Sequence, residues 1–147
     1  MAAVRSARAV WNGELASGSG VVSATSSGAF SDLPVTWAAR TENAANGKTS
    51  PEELIASAHA SCYCMALSAG LGKAGTPPTK LEVEAAVTFD QVEGGFKVTS
   101  SKLKVVGEVP GVDAAGFQSA AEAAKDGCPV SQALKGNVEL SVEATLK

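Results

Sequence analysis

The sequence predicts an α+β fold in which two mostly antiparallel β-sheets surround one long central helix. The longest stretch without a formally charged residue, 54–72, carries apolar side chains three or four residues apart, which predicts a helix. Segments on either side alternate between apolar and polar residues, as half-buried strands do. With 147 residues, 45% hydrophobic and 18% charged, the chain can bury a core, and we expect one domain spanning residues 1–147.

Residues 7–38 are predicted to form three short strands. Glycine-bearing turns at 13–14 and 18–20 mark the breaks after the first strand. The polar segment 40–49 is predicted to be an exposed loop. The residues that indicate the three strands are, in order, Ala7, Ala9 and Trp11, then Val21, Val22 and Thr25, then Val35, Thr36 and Trp37.

The central helix has a well-marked start. Ser50 is the predicted N-cap, Pro51 the first helical residue and Glu53 the third, which completes a capping box. The helix is expected to run to about Gly70 or Gly72. Its predicted inward face consists of Leu54, Ile55, Ala58, Cys62, Met65, Ala66 and Ala69, with Cys64 pointing elsewhere.

The remaining elements follow in the order strand, strand, helix, helix, strand. Alternation predicts strands over 80–89 and 96–106, joined by a turn at 93–95. Asp113 is the predicted N-cap of a second helix that ends at Gly127 as its C′ residue. Cys128 and Pro129 then begin a short helix, and 138–146 is the last strand. The predicted buried face of the second helix consists of Phe117, Ala120, Ala121 and Ala124.

Composition indicates which classes of partner are unexpected and which cellular compartment is expected. The net charge of −3 and the lack of a Lys/Arg cluster make nucleic acid an unexpected partner. Residues 54–72 include serine, histidine and glycine, which favours a buried helix over a membrane span. The N-terminus shows no apolar secretory core, so the three cysteines are expected to be reduced thiols in the cytoplasm.

Cys62 and Cys128 are the candidate reactive residues. On the inward face of an uncharged helix, Cys62 is simplest to interpret as an inert core thiol, since burial raises a thiol pKa. To react, it needs a cation from outside its helix, and Arg40 is the best placed in sequence. Cys128, at a helix start, faces free amides that lower a thiol pKa, and by this reasoning alone it is the better thiolate.

His59 and Glu52 are further candidates on the same predicted helix as Cys62. His59 and Cys62, three residues apart on the helix, offer a weak zinc site with Cys128 or Cys64. Glu52 lies about 15 Å from Cys62 along the helix axis, too far to touch the sulfur but able to orient an arginine that does.

The segments PEELIASAHASCYCMALS and AKDGCPVSQALKGNVELSVE together resemble the OsmC branch of the OsmC/Ohr superfamily. AVWNGEL, the arginine before the helix and PGVDAAGF extend the resemblance from about residue 7 to the end. The resemblance implies an OsmC-like fold and an intertwined homodimer with two active sites at the interface. It assigns Cys62 as the peroxidatic cysteine and Cys128 as the resolving one. Arg40 matches the arginine that pairs with the thiolate, and Glu52 the glutamate that holds that arginine.

The implied activity is that of a thiol peroxidase in oxidative or osmotic stress defence. It would reduce organic hydroperoxides, and hydrogen peroxide less well, through a Cys62 sulfenic acid and a Cys62–Cys128 disulfide. An external dithiol, lipoyl or thioredoxin-like, would restore the thiols, and no metal or cofactor is expected. Cys64 stands where the family commonly has serine and is expected to be a bystander. A non-enzymatic redox sensor and a small zinc protein using His59, Cys62 and Cys128 remain the alternatives.

Overall fold

The structure is a computed structural model that describes residues 1–147. It contains two three-stranded sheets and a long helix, which confirms the predicted α+β class. The chain divides into two compact units, Met1–Pro51 and Glu52–Lys147. A single domain spanning residues 1–147 therefore stays a prediction.

The first unit is built on an antiparallel sheet of three strands in sequential order. These are β1 (Ala7–Asn12), β2 (Ser19–Ala24) and β3 (Leu33–Val35). The first two strands pair along their whole length, with Ala7 opposite Ala24. The strand predictions here are confirmed in number and order, although Thr25 lies beyond the end of β2.

A short helix, α1 (Trp37–Thr41), follows this sheet and was not predicted. Placing Thr36 and Trp37 in the third strand was therefore wrong, as was placing Arg40 in a loop. The reason is local: the Thr36 hydroxyl accepts a hydrogen bond from the Ala39 amide at 3.1 Å and acts as the N-cap. The strand pattern hides this cap because threonine and tryptophan also favour strands.

The long helix α2 (Pro51–Lys73) begins where the capping signal predicts. Its buried face is not the predicted one: Met65 is 71% exposed, and Cys62 is half-buried. The polar aromatic residues at this face have hydrogen-bond partners, and Tyr63 donates to the Ala121 carbonyl oxygen at 2.9 Å. The residues of α2 that are buried are Glu52, His59, Tyr63, Leu67 and Leu71.

The second unit completes its sheet with β4 (Lys80–Val92), β5 (Gly95–Glu108) and β6 (Glu139–Leu146). Strands β4 and β5 form an antiparallel hairpin, while β6 lies parallel to β5. The core of the unit is the set of buried residues contributed by α2, α3, β5, β6 and nearby segments. Its members are Tyr63, Leu67, Leu71, Leu103, Val105, Val109, Phe117, Ala121, Ala124, Cys128 and Val142.

Two helices connect β5 to β6, namely α3 (Ala114–Gly127) and α4 (Pro129–Leu134). Asp113 caps α3 as predicted, its carboxylate accepting from the Gly116 amide at 2.7 Å. Gly127 was expected beyond the helix end, but it lies inside α3, and Cys128 is the C-cap. Because Pro129 starts α4 at once, Cys128 ends one helix and begins the next.

Gly107 on β5 allows the Phe117 ring to pack against the sheet. A Cβ at this position would overlap that ring, which is 1% exposed. We expect Gly107→Ala to lower the free energy of unfolding by about 1–3 kcal/mol, the usual cost of overpacking. Chemical denaturation measures this change.

The matched control for Gly107→Ala is Gly127→Ala, which also adds one methyl group. A Cβ at Gly127 meets no atom within 4 Å, and the residue lies in a helix. Its stability should be unchanged or raised by up to about 1 kcal/mol. Equal destabilisation by both substitutions would contradict the packing argument.

Candidate active site

The structure brings two of the predicted site residues, Cys62 and Cys128, together in the second unit. Cys62 lies in the middle of α2 and is half-buried, packed against the edge of the core. Cys128 lies at the junction of α3 and α4 and is fully buried. Their thiols lie close enough to influence each other's ionisation. The two cysteines therefore differ in exposure, since Cys62 is partly exposed and Cys128 is fully buried.

The environment shifts the two thiols in opposite directions. Burial raises the pKa of Cys62, the Val130 amide lowers it, and the neighbouring Cys128 raises it again. The net direction for Cys62 is upward. Its own surroundings in this unit therefore favour the protonated thiol.

Cys128 is shifted towards ionisation. Burial opposes this, but the Ser131 and Val130 amides, the Ser131 hydroxyl and the Cys62 thiol together lower the pKa of Cys128. The sulfur does not close a capping hydrogen bond on α4, but the amides lie near enough to favour its negative charge. The direction agrees with what the helix start predicts.

A chain of buried polar side chains adjoins Cys128. His59 Nδ1 lies 2.7 Å from the Ser101 hydroxyl, and His59 Nε2 lies 2.8 Å from the Ser131 hydroxyl. All three residues are at most 2% exposed. Sequence reasoning singled out His59 but not the two serines, which carry no local signal because their partner is 42 and 72 residues away.

This chain also bears on the zinc alternative. Both ring nitrogens of His59 already interact with serine hydroxyls, so the imidazole has no lone pair directed at Cys62 or Cys128. The described residues include no group of three His, Cys, Asp or Glu side chains arranged to hold a metal ion. The zinc site on His59, Cys62 and Cys128 is therefore not supported by the geometry.

Arg40 belongs to the first unit and Glu52 to the second. Glu52 lies in the first turn of α2 and is 7% exposed, about 15 Å from Cys62 by the rise of the helix. Arg40 is in the last turn of α1, where its guanidinium lies 5.8 Å from the centre of the Trp37 ring. The predicted action of both residues on the Cys62 thiolate stays a prediction.

Cys64 has a different environment from the other two cysteines. It is half-buried, and burial raises the pKa of its thiol. Its side chain lines an open cleft between α2 and the start of β4, with Met65, Pro78 and Leu81. The expected bystander role of Cys64 stays a prediction.

Comparisons with known proteins agree on one family. The model of the family described as OsmC-like protein matches residues 44–143. Peroxiredoxin OsmC of Escherichia coli (strain K12) is 43% identical over 136 residues, which are 92% of this chain and 93% of that protein. The organic hydroperoxide resistance protein of Xanthomonas axonopodis pv. citri is 30% identical over 95 residues, 64% of this chain and 65% of that protein.

A solved structure gives the same result for the fold. The crystal structure of the organic hydroperoxide resistance protein OhrB of Bacillus subtilis matches with a TM-score of 0.73 at 27% identity. The match covers 95% of this chain and 98% of that one.

Proposed function

The chain belongs to the OsmC-like protein family and is a peroxidase-type enzyme with a hydroperoxide-related redox role, and from this premise we propose that it reduces organic hydroperoxides through Cys62 and Cys128. The observation that carries the proposal is the pairing of a partly exposed cysteine, Cys62, with a fully buried one, Cys128. An external hydroperoxide can reach only the accessible sulfur. Cys62 is therefore the attacking residue, although Cys128 is the more easily ionised.

The first step oxidises Cys62. Its thiolate attacks the terminal oxygen of the hydroperoxide, and the O–O bond breaks. The alkoxide takes a proton and leaves as an alcohol, while Cys62 becomes a sulfenic acid. Cys62, Ala66 and Val130 are partly buried residues that all pack against the core of the unit, and an apolar surface of this kind suits the carbon chain of an organic hydroperoxide.

Because the surroundings of Cys62 within its unit raise its pKa, the step needs a positive charge beside the sulfur. We propose Arg40 for this role, with Glu52 holding its guanidinium. A planar guanidinium suits both tasks, since it pairs with a carboxylate through two hydrogen bonds and still favours a nearby anion.

The second step forms the disulfide, and the third removes it. Cys128 attacks the sulfenic sulfur, and the hydroxyl group leaves as water. An external dithiol, lipoyl or thioredoxin-like, then exchanges with the disulfide and is itself oxidised. The two thiols lie close enough to affect each other's ionisation, which supports the second step, since no large movement is needed to bring the sulfurs together.

We also propose that the enzyme is a homodimer in the cytoplasm. By length and composition alone, α2 could cross a membrane, but one of its faces packs into the core of its unit. The opposite side carries Met65 at 71% exposure together with exposed alanine and glycine residues. A second copy of the chain would bury this apolar surface.

Turnover with a dithiol distinguishes the enzyme from a redox sensor. We expect the protein to consume many equivalents of cumene hydroperoxide with dihydrolipoamide, and to consume hydrogen peroxide more slowly. A coupled assay that follows peroxide loss measures both rates. Consumption of one equivalent followed by a stall, with several dithiols, would favour the sensor. Equal rates for the two peroxides would contradict the assignment to organic hydroperoxides.

A further inference from the structure

His59 is a fully buried titratable residue that the proposed mechanism does not use. Burial lowers the pKa of His59, so the imidazole is neutral and has one N–H donor and one acceptor nitrogen. Its two partners, Ser101 and Ser131, are themselves buried. Every hydrogen in this chain is therefore placed by its neighbours and not by water.

The direction of these hydrogen bonds is set by the Cys128 sulfur, next to which the row of polar side chains ends. Ser131 is the third residue of α4 and Cys128 is the N-cap of that helix, so the Ser131 side chain reaches back towards Cys128, as in a capping box. The Ser131 hydroxyl lowers the pKa of Cys128, as a hydroxyl does when its hydrogen is directed at the sulfur. Its oxygen is then free to accept from His59 Nε2–H at 2.8 Å. His59 Nδ1 is left as the acceptor for the Ser101 hydroxyl at 2.7 Å. In this arrangement Ser101 donates to His59, His59 donates to Ser131, and Ser131 donates to Cys128.

We propose that His59 is a positioning residue for disulfide formation, holding the Ser131 hydroxyl with its hydrogen directed at the Cys128 sulfur. Without the imidazole N–H, the Ser131 hydroxyl would be free to rotate and to donate elsewhere. With it, the hydroxyl hydrogen of Ser131 is kept directed towards the reacting sulfur. This inference rests on the proposed function, in which Cys128 attacks oxidised Cys62.

The disulfide-forming step that these hydrogen-bonded side chains assist needs no further reactant. The Cys128 thiolate forms an S–S bond with the sulfenic sulfur of Cys62, and the S–O bond breaks. The proton that Cys128 gave up ends on the leaving hydroxide, so that one water is released. The Cys128 sulfur is oxidised and the sulfenic sulfur is reduced.

The other groups around Cys128 leave Ser131 a distinct role. From α2, the Cys62 thiol and the Cys128 thiol affect each other's ionisation, and the charge of Cys128 raises the pKa of the Tyr63 phenol. On α3, Lys125 is hydrogen-bonded to Glu122 at 2.8 Å. From α4, the Ser131 and Val130 amides also favour the thiolate, and they belong to a backbone that His59 does not touch. Only the hydroxyl of Ser131 couples the histidine to the sulfur.

The test measures Cys128 ionisation in a Cys62→Ser, Cys64→Ser background, where Cys128 is the only cysteine. Thiolate absorbance is followed against pH, and no peroxide is used. Ionisation should move to higher pH in Ser131→Ala, because a charge-assisted hydrogen bond is lost. The pKa of Tyr63, the only tyrosine, is raised by burial, so its phenol does not interfere.

Two substitutions of His59 separate positioning from a merely structural role. The glutamine amide nitrogen occupies about the place of Nε2, so His59→Gln should keep the hydrogen bond to Ser131 and the parent profile. Asparagine reaches only the place of Nδ1, so His59→Asn should shift ionisation to higher pH. The same His59→Asn change made in Ser131→Ala should add no further shift.

Ser101→Ala is the matched control, since it removes the hydroxyl at the far end of the same histidine. It should shift the profile of Cys128 less than Ser131→Ala does. An equal shift, no shift in Ser131→Ala, or equal profiles for His59→Asn and His59→Gln would overturn the proposal.

A second measurement returns to the protein with all three cysteines. After one equivalent of hydroperoxide, disulfide formation in Ser131→Ala and His59→Asn should be about tenfold slower than in the parent near neutral pH. Sulfenic acid formation should not change. If the parent forms no sulfenic acid, the proposed function fails, while the titration still decides the role of His59.

Discussion

Replacing Cys62 by serine is expected to abolish hydroperoxide turnover, lowering the rate by at least about a thousandfold. A serine hydroxyl is almost entirely un-ionised at neutral pH and is a poor nucleophile towards an O–O bond. Cys128 cannot take over, because it is fully buried and an external hydroperoxide does not reach its sulfur. The measurement is peroxide loss with a dithiol in excess.

The matched control is Cys64→Ser, which makes the same atomic change two residues away on the same helix. Cys64 is also half-buried, but no contact with Cys128 affects the pKa of its thiol. Its turnover should be near that of the parent. Residual activity in Cys62→Ser comparable to the parent, or a similar loss in Cys64→Ser, would remove Cys62 from the role of attacking residue.

Local chemistry was enough to predict where the main elements begin. Ser50 and Pro51 predicted the start of α2, and Asp113 predicted that of α3, because capping involves groups within a few residues of each other. The hairpin of β4 and β5 followed from alternation and one glycine-bearing turn. The fold class could therefore be predicted without knowledge of tertiary contacts.

The buried face of α2 could not be predicted in the same way. Residues 54–72 are rich in alanine and serine, which fit either a buried or an exposed position, so spacing alone did not select a face. The face is decided by distant partners, namely the Ala121 carbonyl for Tyr63 and the Ser101 and Ser131 hydroxyls for His59. None of these pairings is visible within the helix.

The candidate site shows the same division. Cys62 and Cys128 could be singled out from the sequence, but their pairing came from the family resemblance and not from spacing. Ser131 had no signal, since a serine two residues after a proline is ordinary. Its importance appears only when the fold places it between His59 and Cys128.

Replacing Cys128 by serine is expected to separate the first step of the reaction from the rest. Cys62 should still consume the first equivalent of hydroperoxide at close to the parent rate, because it is the residue that attacks. Steady-state turnover should fall by at least about tenfold, since an intramolecular thiol is replaced by slower attack of the external dithiol. Stopped-flow measurement of the first equivalent, followed by steady-state rates, gives both numbers.

The fate of the oxidised sulfur supplies the second readout for Cys128→Ser. With no partner thiol, the Cys62 sulfenic acid should persist and, under excess hydroperoxide, advance to sulfinic acid, which mass spectrometry detects. The parent should instead accumulate a disulfide when the dithiol is withheld. Since Cys128 is part of the core, the fold of the variant is checked by circular dichroism. If a folded Cys128→Ser protein turned over as fast as the parent, Cys128 would have no resolving role, and the buried chain from His59 would have no reaction to assist.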